Sequence, residues 1–267
     1  MHPGLRLDPR ERLAWREEGF FVRRAAFAPA EIETLRAGAE RAARRARAAC
    51  ADPAEDYEID GNRYCEAAAA TVQFEHRAGS RTLRVIEPFH HLDARLDRVI
   101  DDPRLVEPMR ELVGSERVAL FTDKLNLKRP REGSRFRWHQ DSPYWAHFCG
   151  HLDRLPNVLL ALDDASEANG CFRVIPGSHR RGMLPGLSGE GVLGSLFTDP
   201  RHFDEARQVP AEVPAGSLVF FSPHLVHGSE ANRSNARRRA CVITYQPGGH
   251  RMLKVDAKRE VGGSRPD

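Results

Sequence analysis

The spacing of apolar positions changes partway along the chain. Between residues 29 and 49 these positions recur three or four residues apart, with Ile32 and Leu35 among many alanines. Pro29 begins the segment and acidic residues follow in its first turn, which suits the dipole of a helix. Because helical spacing places the apolar side chains on one face, the segment is predicted to be a helix that packs on the core.

A second helical pattern runs from residue 92 to residue 114, with Leu96 and Ile100 at helical spacing. Pro103 cannot donate a backbone hydrogen bond inside a helix, so it divides the pattern into two helices. Gly114 is a typical helix end, because glycine adopts the left-handed conformation at low cost. We therefore expect helical support over about residues 10–115.

From about residue 116 the pattern becomes one of short apolar or alternating runs separated by Gly, Pro and Asn. The predicted strand segments are VALFTDKLNLK, SRFRWHQD, NVLLALDD, CFRVIPGSH, EVPAGSLVFFSP and RRACVITYQPG. Helices followed by many short strands favour a mainly β fold with supporting helices, in the form of a sandwich or barrel. We expect one domain over residues 1–267, with its β core at about 116–250. The long connections 142–156 and 180–207 are predicted to be either functional lids or disordered segments.

Composition and charge argue against several classes of protein. The chain has 267 residues, and 41 basic against 38 acidic residues give a formal charge of +3, too balanced to indicate a nucleic-acid surface. No apolar run approaches the roughly 18 residues that span a bilayer. The first residues mix both charge signs before any apolar stretch, unlike a secretory signal. We expect a cytoplasmic monomer or weak homodimer that acts on a small molecule, with no nucleic-acid or membrane partner.

The chain contains five cysteines, an odd number that is scattered and includes no Cys-x-x-Cys pair. This arrangement indicates neither a disulfide framework nor a zinc site. The cysteines are Cys50, Cys65, Cys149, Cys171 and Cys241. We expect them to be small buried apolar residues in a reducing compartment.

The triplet His-x-Asp occurs four times, beginning at His91, His139, His151 and His202. About one such triplet is expected by chance, so spacing alone does not identify a metal site. On a strand, residues two apart face the same side, so His139 and Asp141 can present an imidazole and a carboxylate to one ion. A second histidine on a later strand would complete the ligand set of non-heme Fe(II) enzymes, which is two histidines and one carboxylate.

Two histidines compete for this third position. His224 lies directly after a Pro turn, whereas His227 leads into the polar loop GSEANRS, which a cosubstrate pocket needs. An arginine on the return strand after this loop could bind a carboxylate in a bidentate manner. Arg237, Arg238 and Arg239 all compete for that role, and strand alternation sends Arg238 to the opposite face from its two neighbours.

Three separated motifs resemble the phytanoyl-CoA dioxygenase family of Fe(II)- and 2-oxoglutarate-dependent oxygenases. They are WHQD, LALDDASEANGCFRVIPGSH and HGSEANRSNARRRA, and the resemblance covers about residues 10–250. It implies a double-stranded β-helix core, which is a jelly roll of the cupin-like kind. It also implies that His139, Asp141 and His227 are the metal ligands and the catalytic centre.

By position, the resemblance further implies that Arg238 binds the far carboxylate of 2-oxoglutarate with help from Ser229. The stretch KLNLK followed by WHQDSPYW is also similar to the ectoine hydroxylase branch, in which a corresponding Asn and Trp line the pocket. The remaining expected contacts are Asn126 and Leu159 to the cosubstrate, and Gln140, Trp145 and Lys124 to the substrate.

The implied function is an oxygenase that uses Fe(II), 2-oxoglutarate and O2 to hydroxylate an unactivated C–H bond of a small metabolite or natural-product intermediate. Asp141 stands where halogenating relatives carry a small residue, so chlorination is not expected. The alternatives are the same chemistry on an acyl-CoA, and desaturation, cyclisation or epimerisation. A non-catalytic or 2-oxoglutarate-independent cupin-like metal protein is an alternative of another class, and it would form no succinate.

Overall fold

The computed structural model describes residues 5–77 and 79–262, so position 78 and both ends of the predicted 1–267 domain lie outside it. The described helices are α1 (Pro9–Glu18), α2 (Pro29–Ala49), α3 (Ala94–Val99), α4 (Pro103–Val113), α5 (Ser142–Trp145) and α6 (Gly191–Gly194). None of them combines the length and the apolar character that crossing a bilayer demands. The described strands are β1 (Phe20–Arg23), β2 (Glu55–Ile59), β3 (Asn62–Ala67), β4 (Ala70–Phe74), β5 (Leu83–Glu87), β6 (Val118–Lys128), β7 (Phe136–His139), β8 (Asn157–Ala161), β9 (Phe172–Val174), β10 (Val209–Ala211), β11 (Leu218–Phe221), β12 (His227–Ser229) and β13 (Arg238–Pro247).

The strands form two antiparallel sheets that pack face to face. The large sheet has the order β1-β11-β8-β13-β6-β5-β4-β3-β2, and the small sheet has the order β10-β9-β12-β7. Helices α2, α3 and α4 cover the outer face of the large sheet, and an apolar cluster occupies part of the space between the two sheets. The prediction of a mainly β jelly roll with supporting helices is confirmed.

Alternation along β6 separates the two faces of the large sheet. Leu125 and Leu127 point outward and join the apolar cluster beneath the helices. Lys124 and Asn126 point inward and line a cavity between the sheets. Successive side chains of a strand face opposite sides, so the stretch KLNLK places its leucines in the core and its polar residues in the cavity.

The predicted helix from residue 29 to 49 is confirmed, and so are the division at Pro103 and the helix end at Gly114. The prediction that residues 10–115 are helical support was wrong, because β1 to β5 lie in this region and extend the large sheet. The alanine-rich stretch at residues 66–70 is a hairpin between β3 and β4, and Ala68 and Ala69 occupy its turn with positive φ.

The cysteine prediction was wrong for two of the five residues. Cys50, the C-cap residue of α2, forms a disulfide with Cys65 on β3. The sequence gives no sign of this pairing, because it depends on how α2 packs against a hairpin that the pattern did not predict. Cys149, Cys171 and Cys241 are free, and the last two are buried as expected.

Candidate active site

The two histidines and the aspartate selected from the sequence lie together between the sheets. His139 ends β7 and pairs directly with His227 at the start of β12, and Asp141 follows two residues after His139. One possible ligand atom from each residue lies within 4.8 Å of the others. This spacing and donor set fit a single divalent ion, held from one side by two imidazoles and a carboxylate.

Backbone carbonyl groups orient both imidazoles. His139 Nδ1 lies 2.7 Å from the carbonyl oxygen of Arg137, and His227 Nδ1 lies 2.9 Å from that of Leu225. A carbonyl oxygen only accepts, so each Nδ1 carries the proton and each Nε2 keeps a lone pair for a metal. Burial, together with the neighbouring His227, lowers the pKa of His139 to about 3, and burial also lowers the pKa of His227. Both rings are therefore neutral at pH 7, as metal ligation requires.

Asp141 is held by a buried hydrogen-bond chain. Asn157 Nδ2 donates to Asp141 Oδ2 at 3.0 Å, and Thr244 Oγ1 donates to Asn157 Oδ1 at 2.6 Å. Asn157 on β8 pairs directly with Thr244 on β13, so both residues belong to the large sheet. The large sheet therefore holds the carboxylate of Asp141, which follows β7 of the small sheet. Partners of this kind hold a ligand in position and strengthen metal binding.

The competing histidines and triplets have other partners. Asp93 caps α3 through the backbone N–H of Arg95, and Asp204 caps a single helical turn. His151 contacts Gln246 and stacks near His250, outside the metal cluster. His224 lies between Ser142 and Asp153, at 2.9 and 2.8 Å, and so takes no part in the cluster either.

A cavity of about 510 Å³ surrounds the cluster and opens between the two sheets. From the large sheet it is lined by Glu87, Lys124, Asn126, Leu159, Arg238 and Val242; from the small sheet by Phe136, His139, Phe172, His227 and Ser229. Its mouth carries Asp60, Asn62, Tyr64, Glu190, Leu193 and Phe197. The cavity is large enough for a small substrate beside a small cosubstrate.

Arg238 lies in the cavity wall with only 4 % of its surface exposed. Its guanidinium donates to the carbonyl oxygen of Gly170 at 3.0 and 2.7 Å, and no carboxylate of the described residues pairs with it. Burial lowers its pKa to about 10, which reflects the cost of holding a cation there without a counter-ion. Arg237 and Arg239 point the other way and pair with Glu40, so alternation singled out the correct arginine for the cavity.

A second buried basic side chain, Lys128, lies beside Arg238. Lys128 Nζ donates to Ser229 Oγ at 2.7 Å and to the carbonyl oxygen of Glu230. Burial and the nearby positive charge of Arg238 lower the pKa of Lys128 to about 6. Gly170 permits this arrangement: its φ is +74°, and a Cβ there would lie 2.2 Å from the Glu230 oxygen. The cluster of Arg238, Lys128 and Ser229 therefore fits a carboxylate, which would supply the missing negative charge.

Lys124, Asn126 and Leu159 also line the cavity where the sequence placed them, and their predicted contacts remain predictions. Gln140 and Trp145 do not match their predicted contact with substrate. Gln140 is fully buried behind the metal cluster, where its amide bonds to Gly182, Leu184 and His224. Trp145 is 1 % exposed and packs edge-on against Phe121.

Two segments that are distant in sequence meet over the mouth of the cavity. Asp60, at the tip of the β2–β3 hairpin, accepts hydrogen bonds from the backbone N–H groups of Val192 and Leu193 at 3.1 and 2.7 Å. Arg137 pairs with Glu190 at 2.6 Å. The segment 180–207 therefore contributes to the mouth, whereas much of 142–156 packs around Trp145.

Three residues that contribute to the site were not predicted from the sequence. They are Lys128, which binds Ser229, Asn157, which binds Asp141, and Glu87, which lines the cavity. Lys128 lies two residues after Asn126 and four after Lys124 on β6, so alternation predicts that all three side chains lie on the same face of the sheet. No comparable signal exists for Glu87, because the strand that carries it was not predicted.

Comparison with known proteins agrees with the resemblance found in the motifs. The model of the family described as "Phytanoyl-CoA dioxygenase (PhyH)" matches residues 15–240. The L-proline trans-4-hydroxylase of Streptomyces griseoviridis is 32% identical over 186 residues, which cover 62% of this chain and 68% of that protein. The ectoine dioxygenase of Bordetella parapertussis is 29% identical over 195 residues, which cover 62% of this chain and 58% of that protein.

Solved structures share the fold. The crystal structure of EctD from S. alaskensis with 2-oxoglutarate and 5-hydroxyectoine superposes with a TM-score of 0.66 at 23% identity, over 92% of this chain and 78% of that one. The non-heme alpha ketoglutarate dependent carbocyclase SnoK from nogalamycin biosynthesis gives a TM-score of 0.67 at 19% identity, over 96% of both chains. With the family match covering most of its length, the chain belongs to the phytanoyl-CoA dioxygenase family of Fe(II)- and 2-oxoglutarate-dependent oxygenases.

Proposed function

We propose that this protein hydroxylates an unactivated C–H bond of a small metabolite or natural-product intermediate. One observation carries the proposal: His139, Asp141 and His227 face the same cavity as a buried arginine that has no carboxylate partner among the described residues. The first group fits Fe(II), and Arg238 fits the far carboxylate of 2-oxoglutarate.

Each residue of the site has a defined task. His139, Asp141 and His227 would hold Fe(II) through two Nε2 atoms and a carboxylate oxygen, which leaves the other coordination positions for ligands. Arg238 would fix the 5-carboxylate of 2-oxoglutarate, with Ser229 and Lys128 completing the hydrogen bonds around it. Leu159 and Phe172 present apolar surface beside these groups and keep water from the reacting centre.

When bound, Fe(II) and 2-oxoglutarate would supply the electrons that activate O2. In the overall reaction, one oxygen atom enters the substrate C–H bond and the other enters succinate, while the 1-carboxylate leaves as carbon dioxide. The residues of the chain orient the cosubstrate and the substrate, and they exclude water from the space between them.

The size and lining of the cavity support a small substrate. A volume of about 510 Å³ must hold the cosubstrate as well, and an acyl-CoA would extend far beyond the mouth. Relatives whose names refer to L-proline and ectoine agree with a small molecule. Desaturation, cyclisation or epimerisation use the same residues, so product analysis must distinguish them from hydroxylation.

The proposal is tested by succinate formation from 2-oxoglutarate, first with Fe(II) and then with Zn(II) in its place. We expect turnover only with Fe(II), because Zn(II) fits the same ligands but supplies no redox chemistry. A protein that binds a metal yet forms no succinate, with any candidate substrate or with none, would instead be a 2-oxoglutarate-independent member of this fold.

A further inference from the structure

Lys124 and Glu87 carry opposite charges on neighbouring strands of the cavity wall. Val85 pairs with Asn126 and Ile86 pairs with Leu125 in the β5–β6 ladder. Continuing this antiparallel register by one residue sets Glu87 opposite Lys124 on the same face, and both residues line the cavity. Opposite charges at such positions usually pair directly across the strands.

In this protein, however, Lys124 and Glu87 do not form a direct ion pair. Lys124 Nζ lies 3.9 Å from Asp141 Oδ1, and Asp141 is the only described carboxylate within ion-pair distance of it. No described group accepts a hydrogen bond from its ammonium. Glu87 is 6 % exposed and accepts one hydrogen bond from Thr122 Oγ1, at 2.7 Å, through a single carboxylate oxygen. Each charge therefore has bonding capacity left, and each is directed into the cavity.

The cosubstrate does not account for this pair. Lys124 and Lys128 are four residues apart on β6, which is roughly 13 Å along the strand. The far carboxylate of 2-oxoglutarate would lie at Arg238 near Lys128, and its other end would lie at the metal cluster. Lys124 and Glu87 therefore remain for the second molecule, and Lys124 lies beside Asp141 and four pairs along the β6–β13 ladder from Arg238.

We propose that the substrate is a free amino acid, whose carboxylate is bound by Lys124 and whose ammonium group is bound by Glu87. A zwitterion satisfies both charges at once and brings no net charge into the cavity, whereas a neutral or singly charged molecule leaves at least one of the two without a partner. Tyr144 closes the same side, with its ring centroid 5.9 Å from Lys124 Nζ. This proposal rests on the proposed function, since it names the substrate class of the same site.

The first experiment measures Fe(II)-dependent succinate formation in the wild-type protein with each proteinogenic L-amino acid in turn. At least one free amino acid is expected to raise the rate above that without substrate. Its N-acetyl derivative and its methyl ester, which each remove one of the two charges, are expected to lose the stimulation. If no amino acid stimulates turnover, or if the blocked derivatives act equally well, the inference is wrong.

The second experiment compares variants with the stimulating amino acid. Lys124→Met and Glu87→Gln are each expected to raise its KM by about tenfold or more, and Lys124→Arg is expected to recover part of the loss. The exposed residues Lys258 and Glu58 supply matched controls, Lys258→Met and Glu58→Gln, which should keep the wild-type KM.

An unchanged KM in Lys124→Met would overturn the assignment of the carboxylate site. Loss of metal binding in that variant would also overturn it, because Lys124 would then act through Asp141. A wild-type protein that consumes 2-oxoglutarate but ignores amino acids removes only this inference. A wild-type protein with no Fe(II)-dependent succinate formation under any condition removes the proposed function as well.

Discussion

The two faces of the large sheet come from alternate residues of the same strands, yet their chemistry is opposite. On the outer face, Leu125, Leu127 and Ile243 pack beneath the helices in a continuous apolar cluster. On the inner face, Lys128 and Arg238 are buried basic side chains whose pKa values burial lowers. Unpaired buried charges destabilise a folded protein, so the outer face supplies stability and the inner face is built to receive an anion.

The largest effect on cosubstrate binding is expected for Arg238→Met. Loss of one partner of a buried charge pair should raise the KM for 2-oxoglutarate by about 30-fold or more, which corresponds to about 2 kcal/mol. The unfolding free energy without ligand should stay constant or rise, because an unpaired buried cation is removed. The matched variant is Arg237→Met at an exposed position, where both quantities should remain at the wild-type values. A lower stability with an unchanged KM would show that Arg238 is structural.

Leu125→Ala should have the reverse effect on the outer face. Truncation of this fully buried leucine is expected to lower the unfolding free energy by about 2–5 kcal/mol while the KM for 2-oxoglutarate remains unchanged. Its neighbour Asn126 faces the cavity, so Asn126→Ala should cost less stability and should raise the KM instead. Urea unfolding and steady-state kinetics on the two variants measure both quantities. If both substitutions change only the unfolding free energy, or both change only the KM for 2-oxoglutarate, the contrast between the two faces is contradicted.

Asn157→Ala tests whether the large sheet supports the metal cluster of the small one. Loss of the hydrogen bond to Asp141 is expected to weaken metal binding by about 10- to 100-fold. Thr244→Val removes only the bond that orients Asn157, so its effect should be intermediate. Titration with Fe(II) in the absence of O2 gives both affinities. Equal affinities in the wild type and in Asn157→Ala would contradict the supporting role.

The smallest expected effect is a pH dependence that comes from Lys128. The pKa of Lys128 is about 6 because of burial and the nearby Arg238, so its ammonium is present below pH 6 and is lost as the pH rises through 6. A carboxylate binds the charged form better, so the affinity for 2-oxoglutarate should fall by up to about tenfold between pH 6 and 7.5. Lys128→Met should bind more weakly at pH 6 and show a flatter profile. A flat profile in the wild type would show that Lys128 does not contact the cosubstrate.

The parts of the fold that were predicted from the sequence are those with long, clean periodicity. The observed bounds of α2 and β6 coincide with the predicted segments, and alternation separated Arg238 from its neighbours. The same alternation rule contradicts the predicted contact of Gln140 with the substrate. This residue lies between His139 and Asp141 on an extended segment, so its side chain must face away from the cavity that the other two share.

Other features depend on contacts that a sequence pattern does not carry. The strands β2 and β3 are short, and their many polar residues conceal the alternation. Trp145 is the last residue of the short helix α5 and packs against Phe121, a contact that the local pattern does not reveal. The disulfide between Cys50 and Cys65 likewise depends on the approach of α2 to β3.

The most direct test of the account compares two of the four His-x-Asp triplets. Asp141 lies in the buried metal cluster, whereas the side chain of Asp153 is 92% exposed and contacts His224. Succinate formation from 2-oxoglutarate with saturating Fe(II) should be abolished in Asp141→Ala and retained in Asp153→Ala. Wild-type activity in Asp141→Ala would contradict the assignment of His139, Asp141 and His227 as the iron site.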